Sequence, residues 1–272
     1  MSASSLVRLE QEIAALAGRL APPPPPMTAL EVAAAVGIVP DPWQGALLRS
    51  DARQIIMCCS RQSGKSTITS IVAAHQAVAV PNSLTLIVSP SLRQSGELYA
   101  KVRSVLVALG TAIPPATQET ATTLRLANGS RVVSLPGSEK TIRGFSAPDL
   151  VIEDESARVD DETHQALRPM LAVSAGRMIL LSTPFGRRGH FFETWSAGGP
   201  SWERVRITAD DVPRIDPAWL EQERAAIGSW WFEQEFLCVF KDATDAYFRS
   251  EDIDAASSTE VRPLFGGMID AA

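Results

Sequence analysis

The chain has 272 residues, 45% of them hydrophobic and 21% charged, with a formal net charge of −6. These proportions suit a globular protein with a sizeable core, which excludes global disorder, and the acidic balance argues against permanent residence on DNA while leaving room for a local basic grip. The three cysteines, Cys58, Cys59 and Cys238, form neither a disulfide framework nor a zinc spacing, and no apolar run reaches the roughly 18 residues a membrane span needs, so a soluble cytoplasmic protein with no membrane partner is expected.

In chain order, Leu6, Leu9, Ile13, Leu16 and Leu20 recur at helical spacing, and Pro22 to Pro26 then impose an extended spacer. Residues 1–26 thus read as a separate N-terminal arm. Thr28 and Glu31 form a capping-box pattern opening a short helix to about Val36. Apolar runs of strand length follow at Arg53–Cys59, Leu84–Ser89, Leu150–Asp154 and Met178–Ser182. Helical patterns lie between them, at Lys65–Val80, Leu92–Leu109 and about Asp160–Ala172. Thr122–Ala127 and Arg131–Leu135 flank Asn128-Gly129, a hairpin signal. This alternation predicts an α/β fold: a mostly parallel central sheet flanked by helices, over residues 27–210. Helical patterns at Pro217–Ile227 and Trp230–Leu237 predict a small helical subdomain over 211–247. Residues 248–272 read as a linker.

Cys59-Ser60-Arg61-Gln62-Ser63-Gly64-Lys65-Ser66-Thr67 follows a strand and opens a helix, the setting of a phosphate-binding loop. Backbone N–H groups from Ser60 to Thr67 would cradle phosphates, Lys65 would charge-pair the β and γ groups, and the Ser66 hydroxyl would ligate Mg²⁺. Gly64 lets the backbone approach closely. Cys59 stands where such loops usually carry their first glycine. Arg61, inside the loop, can reach a γ-phosphate and stabilise charge developing there.

Leu150-Val151-Ile152-Glu153-Asp154-Glu155 is an apolar strand ending in three acids. Carboxylates at the end of a buried strand are expensive unless solvated or held by a cation. Asp154 would join the Mg²⁺ shell, and Glu155 would orient or deprotonate an attacking water; the competing reading is that the acids cap the next helix. Gln44, in Asp41-Pro42-Trp43-Gln44, offers an amide donor and acceptor suited to adenine; Trp43 alone reads as core. Ser182, Thr183 and Pro184 end another strand with hydroxyls that can sense a γ-phosphate. Arg143 is either a nucleotide sensor or an ion-pair partner. Arg125 and Arg131 are candidates for a finger acting in trans. Arg187, Arg188, Arg204 and Arg206 form a local basic cluster, either solvated or facing DNA.

Jointly these motifs resemble the ATPase domain of phage terminase large subunits from about residue 40 to 250. The residues carrying the likeness are Asp41 to Gln44, Ser60 to Ser66, Thr141 to Phe145, Leu150 to Glu155, and Ser182 to Gly186 with Gly189 and Phe191. Trp219 to Arg224 and Phe232 to Phe240 add to it. A loop lacking its first glycine is typical of that family. The resemblance implies a P-loop NTPase of the ASCE, RecA-like type, using ATP and Mg²⁺ to drive double-stranded DNA into a procapsid. It implies a ring of subunits on a portal protein, served by a small terminase subunit. By that likeness the family's glutamine motif falls on Gln44, its phosphate loop on Ser60 to Thr67, its Mg²⁺ aspartate and catalytic glutamate on Asp154 and Glu155, and its coupling motif on Ser182, Thr183 and Pro184; with the residue reading above, Glu155, Arg61, Lys65 and Arg143 are the catalytic candidates and Ser66 and Asp154 the metal ligands. Asp270 stands where a nuclease domain could open, but one acid cannot hold two metals, so no DNA cleavage is expected. The alternatives are a helicase-like translocase and a nucleotide-binding assembly module inactive outside its ring.

Overall fold

The computed structural model describes residues 27–242 and residue 256. The N-terminal arm at 1–26 and the expectations for Asp270 lie outside them. Thr28 caps helix α1 (Ala29–Ala35) in a complete capping box with Glu31. Helix α2 (Pro42–Arg49) begins with Pro42 in its first turn, where a missing N–H costs nothing. There follow β1 (Gln54–Cys59), α3 (Lys65–Ala79), β2 (Leu84–Ser89), α4 (Leu92–Leu109), β3 (Ala116–Glu119), β4 (Thr123–Leu126) and β5 (Arg131–Pro136). After a short α5 (Glu139–Ile142) come β6 (Leu150–Asp154), α6 (Asp161–Leu167), α7 (Leu171–Ser174), β7 (Arg177–Ser182), α8 (Gly189–Ala197) and β8 (Trp202–Ile207). Helices α9 (Pro217–Ile227) and α10 (Ser229–Glu235) follow β8.

The eight strands form one sheet in the order β3-β4-β5-β2-β6-β7-β1-β8. All pairings from β5 across to β8 are parallel, and the β3-β4 and β4-β5 pairs are antiparallel. The expected α/β architecture is therefore the observed one. Side chains alternate between the two faces of each strand. Ile55, Met57, Ile152, Ile179 and Leu181 pack with α1, α3 and α4 on one face. Ile56, Cys58, Val151, Met178 and Leu180 pack with Leu167, Phe191 and Trp202 on the other. Both faces are covered, which is why the strands read as continuous apolar runs. Helices α9 and α10 gather a separate small core of Leu220, Phe232, Phe236 and Ala209.

Several elements differ from expectation. The helix predicted over 160–172 is broken: α6 ends at Leu167, a tight turn spans Arg168–Met170, and only then does α7 form. Pro169 has no N–H for the ladder and interrupts it. Strands β3 and β8 have no counterpart among the predicted elements. Strand β3 is exposed throughout and β8 lies on the sheet margin with charged residues facing out, so neither shows a buried-strand pattern.

Glu153 is fully buried on β6 yet charged. His164 on α6 donates from Nδ1 to its Oε2 at 3.0 Å, and His190 on α8 donates from Nε2 to Oε1 at 2.5 Å. Ser156 Oγ adds a third bond at 2.6 Å. The two imidazoles stack with centroids 4.1 Å apart and planes 11° from parallel. Their N–H groups thus run side by side onto two oxygens of one carboxylate, where two metal ligands would converge on a point. Asp161 Oδ1 holds the far nitrogen of His190 at 3.0 Å. Burial alone would push the Glu153 carboxyl up; the bonds from His164 and His190, and their positive charge, overcome it and bring its pKa down to about 2. Burial likewise opposes an imidazolium at His190, but Glu153 and Asp161 on either side raise its pKa above the ordinary value. The cluster ties β6 to both helices on that face.

Glu153→Ala strands a buried cation and should lower unfolding free energy by roughly 3–5 kcal/mol in urea titrations. A loss below about 1 kcal/mol would show that the cluster holds nothing together. The depressed Glu153 pKa contributes stability that is present above about pH 4.5 and is lost as pH falls toward 2.

Candidate functional site

The site lies at the carboxyl ends of β1, β7 and β6, where open α/β sheets bind ligands. Strand β7 runs between the other two, with Cys58 level with Ser182 and Asp154 level with Leu181. The strand bearing the hydroxyl motif is therefore wedged between the loop strand and the acidic strand.

The loop from Ser60 to Gly64 turns through two left-handed residues, Gln62 at φ 59° and Gly64 at φ 90°. Gly64 is the N-cap of α3, and a Cβ there would sit 2.8 Å from Arg214 Nη2 and 2.9 Å from Gln44 Nε2. The left-handed backbone is what requires glycine, since the two contacting atoms are the ends of flexible side chains that could shift. Ser63 Oγ closes the turn by donating to the Ser60 carbonyl at 2.9 Å. Ser60 N–H donates to Ile207 on β8 at 2.7 Å, and Arg61 N–H to the Glu235 carbonyl on α10 at 3.1 Å. The first N–H groups of α3 have no partner within their own helix and point into the loop, the arrangement that receives a phosphate.

Lys65 and Glu155 meet across the cleft, with Nζ 3.3 Å from Oε1. Glu155 adopts φ 52°, a costly conformation for a residue with a side chain, which turns its carboxylate back toward the loop. Its other oxygen accepts from Arg158 Nη1 at 3.1 Å. The same Arg158 nitrogen lies 3.3 Å from Thr183 Oγ1, and Arg158 Nη2 lies 3.4 Å from Glu235 Oε1. The Arg158 guanidinium is stacked over the Phe185 ring at 4.6 Å. Arg61 Nε donates to Glu235 Oε2 at 2.6 Å.

Asp154 is almost fully buried. Burial pushes its carboxyl up to about 6, the nearby Glu155 charge adds to the rise, and Lys65 opposes it. By linkage this is a penalty of order 3 kcal/mol on the charged form, felt above about pH 6 and absent at pH values below the ordinary carboxylate range. A cation beside Asp154 would relieve it. Ser66, half-buried in the first turn of α3, supplies a hydroxyl. These two residues suit a hard divalent ion such as Mg²⁺.

The structure thus brings together Ser60, Arg61, Gln62, Ser63, Gly64, Lys65, Ser66, Thr67, Asp154, Glu155, Ser182, Thr183 and Pro184 at one end of the sheet. Ser182 and Thr183 are buried. Gln44 is buried beside Gly64, but its Oε1 accepts from the Asp41 N–H at 2.9 Å as part of a helix cap, leaving Nε2 on the loop side. A two-point reading of adenine would first have to break that cap. Trp43 packs against the core. Arg143 is exposed on the turn after α5. Arg125 and Arg131 face each other on β4 and β5, across β2, β6 and β7 from the loop strand. In the basic cluster, Arg204 donates to the carbonyls of Thr194, Trp195, Gly199 and Trp202 at 2.8–3.2 Å, and Arg206 to that of Leu237 at 2.8 Å.

Sequence reasoning missed three site residues. Arg158 lies three residues past Glu155, a spacing that would have flagged it. Arg214 donates to the Ser63 carbonyl and to Asp41 Oδ2, and Glu235 joins Arg61 from 174 positions away. Neither carries a local signal.

A family model described as terminase large subunit, T4likevirus-type, N-terminal, matches residues 56–255. The large terminase subunit of Thermus phage G20c is 26% identical over 252 residues, covering 80% of this chain and 52% of that protein. The chain therefore spans about half the length of the curated relatives it matches. The large terminase ATPase domain of Thermus phage P74-26 superposes with a TM-score of 0.67 at 25% identity, over 76% of this chain and 96% of that one. The HK97 bacteriophage large terminase gives a TM-score of 0.64 at 16% identity, over 79% of this chain and 56% of that one, a likeness of fold alone.

Because burial pushes the Asp154 carboxyl up to about 6, its charged form is favoured above that pH and lost below it. Mg²⁺ affinity in the presence of a nucleotide should therefore fall up to tenfold for each pH unit below 6. Calorimetric titration at pH 5, 6 and 7.5 checks this, and Asp154→Asn should flatten the profile. An equally steep profile in that variant would exclude Asp154 as the source.

Proposed function

The chain belongs to the T4likevirus-type terminase large subunit N-terminal family, and on that premise we propose that it is the ATP-hydrolysing motor of a viral DNA packaging machine. The reading rests on one observation above the others: the loop lysine and the acidic strand tip share a single cleft, with Lys65 Nζ 3.3 Å from Glu155 Oε1. A large terminase from a thermophilic bacteriophage, similar in fold, has been solved in complex with ADP and with ATP-γ-S, which supports a nucleotide as the ligand here.

In this reading the triphosphate lies along Ser60 to Thr67, and Lys65 leaves Glu155 for the β and γ phosphates. Ser66 and Asp154 would hold Mg²⁺, which supplies positive charge to the phosphate oxygens. Glu155, relieved of Lys65, accepts the proton of the attacking water. Lys65 and Arg61 stabilise charge developing on the transferred phosphoryl group, and Arg143 is retained as a further candidate catalytic group. Ser182, Thr183 and Pro184 lie beside the scissile position and would report loss of the γ-phosphate. Residues 211–247 would act as a lid. Double-stranded DNA is the proposed cargo, with a portal protein, a small terminase subunit and neighbouring copies in a ring as partners. Arg125 or Arg131 would then be offered to the next copy.

Phosphate release with and without double-stranded DNA tests the proposal. Lys65→Ala should weaken ATP binding roughly 10- to 100-fold, the range for losing a charged hydrogen-bond donor. Glu155→Gln should keep binding and lower turnover by roughly 10²–10⁴-fold. Native turnover in Glu155→Gln would remove Glu155 from the mechanism. Tight ATP binding with no hydrolysis under either condition would favour an assembly module.

A further inference from the structure

Glu235, at the end of α10, is 8% exposed and carries a carboxylate between two arginines. Its Oε2 accepts from Arg61 at 2.6 Å and its Oε1 lies 3.4 Å from Arg158. Its backbone carbonyl also accepts from Arg61 N–H at 3.1 Å. A buried carboxylate needs such partners, because its charge has little water to spread into. The two arginines are not equivalent. Arg158 is packed over Phe185 and bonded to Glu155 and Thr183. The Arg61 side chain is 60% exposed and borders an open cleft of about 520 Å³ with Trp231 and Phe236. Of the two, Arg61 is the partner that can leave.

We propose that Glu235 is a positioning residue that links occupancy of the γ-phosphate position to release of Glu155. It rests on reading the cleft as a triphosphate site. A γ-phosphate competes with Glu235 for the Arg61 guanidinium. When Arg61 moves to the phosphate, Glu235 is left with Arg158 alone. The uncompensated carboxylate draws Arg158 toward itself and away from Glu155. At the same moment Lys65 turns to the phosphates, so both cations that hold Glu155 withdraw together and the base becomes free. A diphosphate does not reach Arg61, and Glu155 stays held. Helix α10 thereby feels, through one carboxylate, whether the third phosphate is present. No proton or covalent bond moves in this step; three ion pairs exchange partners.

The test is nucleotide binding, which needs no turnover. The full chain with Mg²⁺ is titrated with ATP-γ-S and with ADP, in the native form and as Glu235→Gln, Arg61→Ala and the double variant. Glu235→Gln removes the competitor for Arg61, so ATP-γ-S should bind several-fold tighter while ADP binding is unchanged. In the Arg61→Ala background the same substitution should leave the ratio of the two affinities where it is. Where the native chain turns over ATP, Glu235→Gln should also lower kcat without raising KM, because Arg158 stays on Glu155. An unchanged ratio in Glu235→Gln, or a change that persists without Arg61, would overturn the proposal. Thermal melts of each apo variant separate a folding defect, which would weaken both nucleotides alike and also count against it. If the native chain bound neither nucleotide, the triphosphate reading itself would fall, an outcome distinct from all of these.

Discussion

A lysine and a glutamate from different strands share one cleft because β7 lies between β1 and β6. If the loop strand and the acidic strand were direct neighbours, their tips would be about 5 Å apart. One inserted strand roughly doubles that separation and opens a gap of the width of a phosphate group. The hydroxyl motif of β7 then lies on the floor of the gap. Fold and chemistry are thus set by one choice of strand order, and every other site residue is placed relative to it.

The gap is lined by opposing charges that neutralise one another. Lys65 and Arg158 hold Glu155, Glu235 holds Arg61 and Arg158, and the Glu153 cluster anchors the strand below. Asp154 has less relief than these, and its raised pKa records it. A polyanion with its cation would enter a pre-arranged set of charges and exchange partners with them. Preorganised charge of this kind needs little rearrangement at the moment of reaction.

Much of this is legible in the sequence, for identifiable reasons. Strands β1, β2, β6 and β7 are buried on both faces, so their apolar runs are continuous, and Asp154 at the end of β6, with Glu155 and Gly64 just past strand ends, stands where chain order alone predicts a site. The margins are not legible: β3 is exposed on both faces and β8 is apolar only in part, so neither has a periodic signature. Pro169 divides the single helix expected over 160–172. The amide of Gln44 suggests a base reader, but the helix it sits on uses half of that amide as a cap. Arg158 is within reach of a spacing argument. Arg214 and Glu235 come to the loop from segments that only tertiary packing brings near, and no local pattern marks them.

The arginines beside α8 bear on how strongly this surface can hold a nucleic acid. Arg204 spends all three of its nitrogens on carbonyls at the end of that helix, the turn after it and the first residue of β8, and Arg206 gives one to Leu237. A guanidinium committed to its own backbone releases few counterions when a duplex approaches, so it adds little to the salt sensitivity of binding. The sequence shows four arginines in this neighbourhood, yet three of them, Arg187 included through the Phe240 carbonyl at 3.3 Å, give nitrogens to their own backbone, so the ionic-strength slope should be shallower than four free charges would generate. If the proposed duplex cargo met this surface, so few available charges would grip it weakly and let it go quickly.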